Sequence, residues 1–276
     1  MRAALVCLFT SCMLTAYESH RFTSACALVP GGSACNNVVD SANPADIGFF
    51  TNGISILGSW GLPYLDTADV MTYSGLISFG TPWSSGGISY DAFALPFYRE
   101  DNVHFVHALA ITPSLSFGYA VHRYAIALDD YRAESFSLDT GISFRFSKAS
   151  SIGIAVSRCA SFGDLETTPV SLKADGRYAL TPAFAICASI DISADTLSIR
   201  SGAEYVLFDA IALRVGASSA PMSAGFGFGI HIGQTQFDYA MLIHPELGIS
   251  HVISAAVTFV FPSANTGTDA RAGKVL

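Results

Sequence analysis

Lysine is almost missing from this chain, which carries it only at Lys148, Lys173 and Lys274. Charged residues of all kinds make up 13% of the sequence, about half the share usual in a soluble globular domain, so a coat of the kind that keeps such a domain in water is excluded. No run of Lys and Arg occurs, and the net charge is −8. Nucleic acid is therefore excluded as a partner, because its affinity comes from neutralised phosphates. Helical periodicity is absent beyond residue 50, and no C-x-x-C pair exists among the six cysteines. A helix bundle, a zinc ribbon and a thioredoxin-like redox pair all fall away, and no metal or cofactor is called for.

What is present is alternation. In "SFSLDTGISFRF", Ser135 to Phe146, the residues Phe136, Leu138, Thr140, Ile142, Phe144 and Phe146 alternate with Ser135, Ser137, Asp139, Gly141, Ser143 and Arg145. Side chains of a strand point to opposite faces in turn, so this is a strand with one apolar and one polar face. Segments of the same kind run near 54–60, 70–80, 86–97, 102–111, 114–128, 134–146, 151–160, 169–180, 182–192, 196–207, 209–218, 222–232, 235–243 and 249–261. That makes about fourteen strands, joined by short breaks such as "TPS", "SAD" and "GQT", as antiparallel hairpins require. In "GFGFG", Gly225 to Gly229, the phenylalanines alternate with glycines as strand residues do, and no helix follows as a nucleotide loop would need.

A soluble β-sandwich would show the same alternation, but its polar face would be rich in lysine. Here that face is Ser, Gly and Ala with scattered charges of both signs: Asp139, Arg145, Lys173, Asp175, Arg177, Asp191, Arg200, Glu204, Arg214 and Asp238. Such a face suits a confined lumen where charges pair across strands while the apolar face meets lipid. An Arg or Lys turned to mid-bilayer costs about 2–4 kcal/mol, so the charges sort inward. Hydrocarbon offers no hydrogen bonds, so strands can cross it only as a closed barrel without an edge. The fold expected is all-β: a closed antiparallel transmembrane β-barrel over 51–261. The uncharged run Ile47 to Leu65 competes as a spanning helix, but Gly48, Gly53, Gly58, Gly61 and Pro63 interrupt it. Trp60, Tyr64, Tyr73, Trp83, Tyr90, Phe97, Tyr98, Tyr131, Tyr178 and Tyr205 lie near segment ends, as interfacial girdles would.

The first sixteen residues, one arginine before an apolar stretch ending in small residues, read as a secretory signal. Cleavage is expected after Ala16, or as late as Ala27. Cys7 and Cys12 leave with it, Cys26 and Cys35 lie close enough to bridge, and Cys159 and Cys187 fall on non-neighbouring strands, too far apart for a disulfide.

From these segments the chain resembles the FadL-like outer-membrane proteins, in particular the PorV/PorQ branch. The stretches that carry the likeness are "NPADIGFF" at Asn43 to Phe50, "SLKADGRYAL", "ASIDIS", "RSGAEYVLFDAIALRVG", "SAGFGFGI" and the closing "FDYAMLIHPELGISHVISAAVTFVF". The resemblance implies a 14-stranded barrel in the bacterial outer membrane, with an N-terminal plug segment at 28–50, including Asn43, Pro44 and Asp46, tucked into the lumen. A tail follows at 262–276, where such barrels usually end on an aromatic residue. With both termini periplasmic, the outward loops are short: 61–69, 98–101, 129–133, 161–168, 193–195, 219–221 and 244–248.

Three functions follow as expectations. One is passive passage of small hydrophobic or amphipathic compounds through a plugged lumen, the barrel's other partner being outer-membrane lipid. A second is a non-enzymatic docking or shuttle role with proteins of a type IX-like secretion system. The third, an outer-membrane hydrolase, needs a Ser or His with an acid on the wall; His104, His107, His122, His231, His244 and His251 look scattered and no catalytic set is assigned.

Overall fold

The computed structural model describes residues 43–63, 70–147, 150–165 and 169–261. The signal at 1–16, the plug residues before 43, the Cys26–Cys35 bridge and the tail at 262–276 lie outside them. Fourteen strands follow one short 3₁₀ turn, Asp46–Phe49. They are β1 (Gly53–Leu62), β2 (Met71–Gly80), β3 (Ser84–Leu95), β4 (Tyr98–Thr112), β5 (Leu115–Leu128), β6 (Tyr131–Ser147) and β7 (Ser150–Gly163), then β8 (Ser171–Thr181), β9 (Phe184–Ile192), β10 (Leu197–Leu207), β11 (Ile211–Ser219), β12 (Met222–Ile232), β13 (Thr235–His244) and β14 (Gly248–Val260). Each pairs antiparallel with its sequence neighbours, and β1 closes on β14 from Gly53↔Val260 to Leu62↔His251. No edge is left, as backbone groups in hydrocarbon demand. No helix among the described residues is long and apolar enough to span a membrane, and the described part of that run, Ile47 to Pro63, supplies most of the 3₁₀ turn and all of β1.

Alternation sets the two faces. Ile142, Phe144 and Phe146 are exposed on the outside while Asp139, Gly141 and Ser143 are buried on the inside. Cross-strand pairs put matching faces together, as in Ile56↔Ile77 outside and Ser55↔Ser78 inside. Among the described residues, the outward face of β8 to β14, β1 and β2 carries no Asp, Glu, Lys or Arg. Strands of 9 to 13 residues there are long enough to cross a bilayer when tilted.

The wall is uneven. Strands β4 to β7 run 14 to 17 residues, about five more than the shorter staves, which raises that side by about 12 Å at a 45° tilt. Pairing continues through residues that the sequence reading left as loops, namely 98–101, 131–133 and 161–163. Their charges resemble loop composition, yet these strand ends stand clear of the apolar belt, so an outward charge there escapes the mid-bilayer cost. The extra height is all at the rim opposite the chain ends, called the distal rim below. A bulge at Ser157–Cys159 in β7, with Arg158 at φ 58, sits where β7 leaves β8. Beyond Ser157↔Ser171, β7 continues against β6 alone. Cys159 and Cys187 are free and lie on β7 and β9.

Candidate functional site

All ten charged residues assigned to the lumen sit on inward positions of β6, β8, β9, β10, β11 and β13. Four of them form one continuous chain with a glutamine. Arg214 lies between Glu204 at 2.8 Å and Asp238 at 2.7 Å, Arg177 reaches the other oxygen of Glu204 at 3.1 Å, and Gln236 donates to Asp238 at 2.6 Å. Lys173 faces Asp191 at 3.9 Å. Arg214 and Asp238 are joined across β12 because that strand presents glycine: a Cβ on Gly229 would lie 2.2 Å from Asp238 Oδ1. The Arg214 side chain is only 3% exposed, and burial strengthens each of these pairs.

Other members part company. Asp139 does not meet Arg145; it lies 3.4 Å from His122 and accepts the backbone N–H of Arg158 at 2.8 Å. Arg145 instead stacks on the Phe49 ring at 4.1 Å, and Asp175 takes a hydrogen bond from Asn43. Arg200 faces inward but joins none of these pairs.

The sequence reading missed a second row. Asp91, His104, His122 and Asp139 run across β3, β4, β5 and β6, with His104 3.7 Å from Asp91 and the two imidazole rings 5.0 Å apart. Ser89 Oγ bonds the His104 ring at 2.7 Å. His104 and His122 are direct partners in the β4–β5 ladder. A bulge at Ala110/Thr112 shifts that ladder by one residue, which hides the pairing from any count outward from the turn. His107 and His251 lie on the outward face, bonded to Ser84 at 2.8 Å and Tyr239 at 2.6 Å.

Above this row, at the distal rim, the inner wall turns apolar. Phe93, Tyr98, Tyr124, Ile126 and Ala133 pack with Val70 and Leu165, which come from the connections preceding β2 and following β7. Tyr98 is thus a correction to the girdle assignment: it is 1% exposed and faces inward. It donates to Glu100, a fully buried carboxylate that also accepts from Tyr124 at 3.1 Å.

The segment Asn43–Phe50 runs along the inner wall nearer the chain ends, over a track of small residues. Phe50 accepts from Ser85 at 2.5 Å, Ile47 packs on Val106, Ala108 and Ala120, and the Pro44 carbonyl lies over Gly118. Asn43 donates to Ile142 C=O at 3.2 Å, and a Cβ on Gly141 or Gly153 would strike its side chain. Asp46 lies within electrostatic reach of Arg145 and Asp175.

No protein-family model matches the chain, and no curated protein sequence does. Solved structures do. The CymD monoaromatic hydrocarbon channel is similar at a TM-score of 0.59 and 11% identity, over 84% of this chain and 93% of that one. A Pseudomonas aeruginosa FadL homologue gives 0.58 and 10%, over 86% and 97%. The P. putida toluene transporter TodX gives 0.56 and 9%, over 84% and 94%. At such identities the likeness is one of fold: this chain is a closed 14-stranded barrel of the kind seen in FadL-like channels.

Proposed function

We propose that the protein is a bacterial outer-membrane channel for passive passage of small hydrophobic or amphipathic compounds. Asn43–Phe50 serves as part of its plug, and the lumen performs no bond-making step. The observation that carries this reading is the apolar cluster on the inner wall of the distal rim, Phe93, Tyr98, Tyr124 and Ile126 closed over by Val70 and Leu165. These side chains are buried against one another, so a solute enters by parting them, and an apolar solute that does so is stabilised by about 25 cal/mol per Å² of surface it buries there, which a hydrated one is not. The ion chain and the Asp–His–His–Asp row deeper in the barrel then hold the wall rigid around the path. The likeness in fold to hydrocarbon channels supports the same reading.

A docking role in secretion would need gripping surface outside the membrane. Distal turns of two residues at Pro96–Phe97 and Asp129–Asp130 supply little of it. Proteoliposomes separate the readings. The full chain is expected to speed entry of a small aromatic hydrocarbon and not of a sugar, and the pair Phe93→Asp with Ile126→Asp is expected to abolish that entry in a barrel that still folds. Equal entry of both solutes, or none of either, would refute the proposal.

A further inference from the structure

We infer that the outward face of β3 to β6 at the distal rim binds the phosphate-monoester headgroup of an anionic membrane lipid. Among the described residues, outward charge on the regular ladder is confined to one place. Arg99 and Asp101 on β4, Arg123 on β5, and Arg132 and Glu134 on β6 are all outward-facing and all in the distal part of the tall wall. The apolar belt stops below them, so they stand at the depth where headgroups begin.

Register turns these residues into a frame. Arg99, Ala127 and Arg132 lie in one row across three strands, and Asp101, Ala125 and Glu134 in the next. The two arginines of the first row are therefore two strand spacings apart, about 9.6 Å, with only alanine methyls between them. Arg123 lies one row further toward the belt, beside Val103 and Phe136. Ala125 and Ala127 are thus the floor between the backbone positions of Arg99, Arg123 and Arg132.

The carboxylates position this frame without filling it. Asp101 holds Arg99 through Nε at 2.9 Å, and Tyr90 accepts from Arg99 Nη2 at 2.7 Å. Glu134 takes the Nε and Nη2 edge of Arg123. Each guanidinium has five donors in a rigid fork, so the Nη1 edge of both is left to point away from its carboxylate. The Arg99 and Arg123 side chains are half exposed, at 50% and 45%. Arg132 has no ion pair among the described residues, and Asp164, whose N–H bonds Glu134 C=O at 2.8 Å, adds a third carboxylate beside Glu134, so the open donors of the arginines rather than a net charge are what the frame offers. A planar fork held by one edge and open on the other is suited to bidentate binding of phosphate. The turn carboxylates Asp129 and Asp130 lie beyond Arg132, toward water, so a headgroup rising from the bilayer meets the arginines first.

The site is tested with the full chain in neutral detergent, given mixed micelles of phosphatidylethanolamine alone or with bisphosphorylated lipid A, and lipid retention read by native mass spectrometry. The wild-type chain is expected to retain the bisphosphorylated lipid and not the zwitterionic one. Arg132→Gln should weaken retention about tenfold, the worth of one charge-assisted hydrogen bond. Ala127→Glu should abolish it by filling the floor with negative charge, and because the position faces outward at the rim, folding, read by heat-modifiable gel migration, should be unchanged. Retention of both lipids alike, or retention untouched by Ala127→Glu in a folded barrel, would overturn the inference. So would competition by inorganic phosphate alone, which would make the site one for free anions.

Discussion

Arg214 shows how much one side chain holds in this wall. It joins Glu204 to Asp238 with almost no exposure, and its loss removes the guanidinium that both buried carboxylates face. Breaking a buried pair from one side typically costs about 3–5 kcal/mol. Arg214→Leu is accordingly expected to lower the unfolding free energy from urea titration by that much, and Arg214→Leu with Glu204→Gln and Asp238→Asn to recover a good part of it. Gly118 is the counterpart on the other wall: a Cβ there would lie 2.4 Å from the Pro44 carbonyl, a backbone atom with no rotamer to yield. Gly118→Ala should push Asn43–Phe50 off its track, seen as faster proteolytic cleavage within 43–50. That Arg214 and Asp238 face inward was legible from parity alone. That they meet was not, since a contact across three strands needs the register and the bare Gly229 between them.

Strand positions were the most legible feature, because period two and short breaks mark each stave independently of its neighbours. Both failures of that reading come from charge and from bulges. Arg99, Asp101 and Arg132 were read as loop because an outward charge looks the same in a loop as in a strand that has left the bilayer. His104 and His122 looked unrelated because the bulge at Ala110/Thr112 shifts the ladder between them. Local strain gives the testable consequence at this scale. The β10–β11 connection places Phe208 at φ 51 and Asp209 at φ 54, closed by Ala210 N–H to Leu207 C=O at 3.0 Å. This is a type I′ turn, which favours Asn and Gly, and a bulky side chain there costs about 1–2 kcal/mol. Phe208 is 91% exposed, so Phe208→Asn forfeits little packing and is expected to raise the unfolding free energy from urea titration by about 1 kcal/mol.

Across the whole molecule, the decisive property is which solvent meets the apolar face. Exposed Ile, Leu, Val and Phe cover the outside of nine adjoining strands without one described charge among them, a surface far beyond the few hundred Å² that a soluble monomer leaves bare. Inside, buried serines, glycines and paired ions make a poor core for a water-soluble fold, which would bury the phenylalanines and expose the arginines. Adjacent positions on β11 discriminate the two cases. Val215 is outward and 47% exposed, and Gly216 beside it is inward. If lipid surrounds the barrel, Val215→Arg should cost about 2–4 kcal/mol in folding into liposomes, whereas Gly216→Ser, facing the lumen, should change little. In a water-soluble sandwich with the same strands the order would reverse: a charge at an already exposed valine would be harmless, and a hydroxyl forced into the interior would be felt. The ranking of these two substitutions, measured by unfolding in one lipid, therefore tests the membrane reading apart from any question of what the lumen carries.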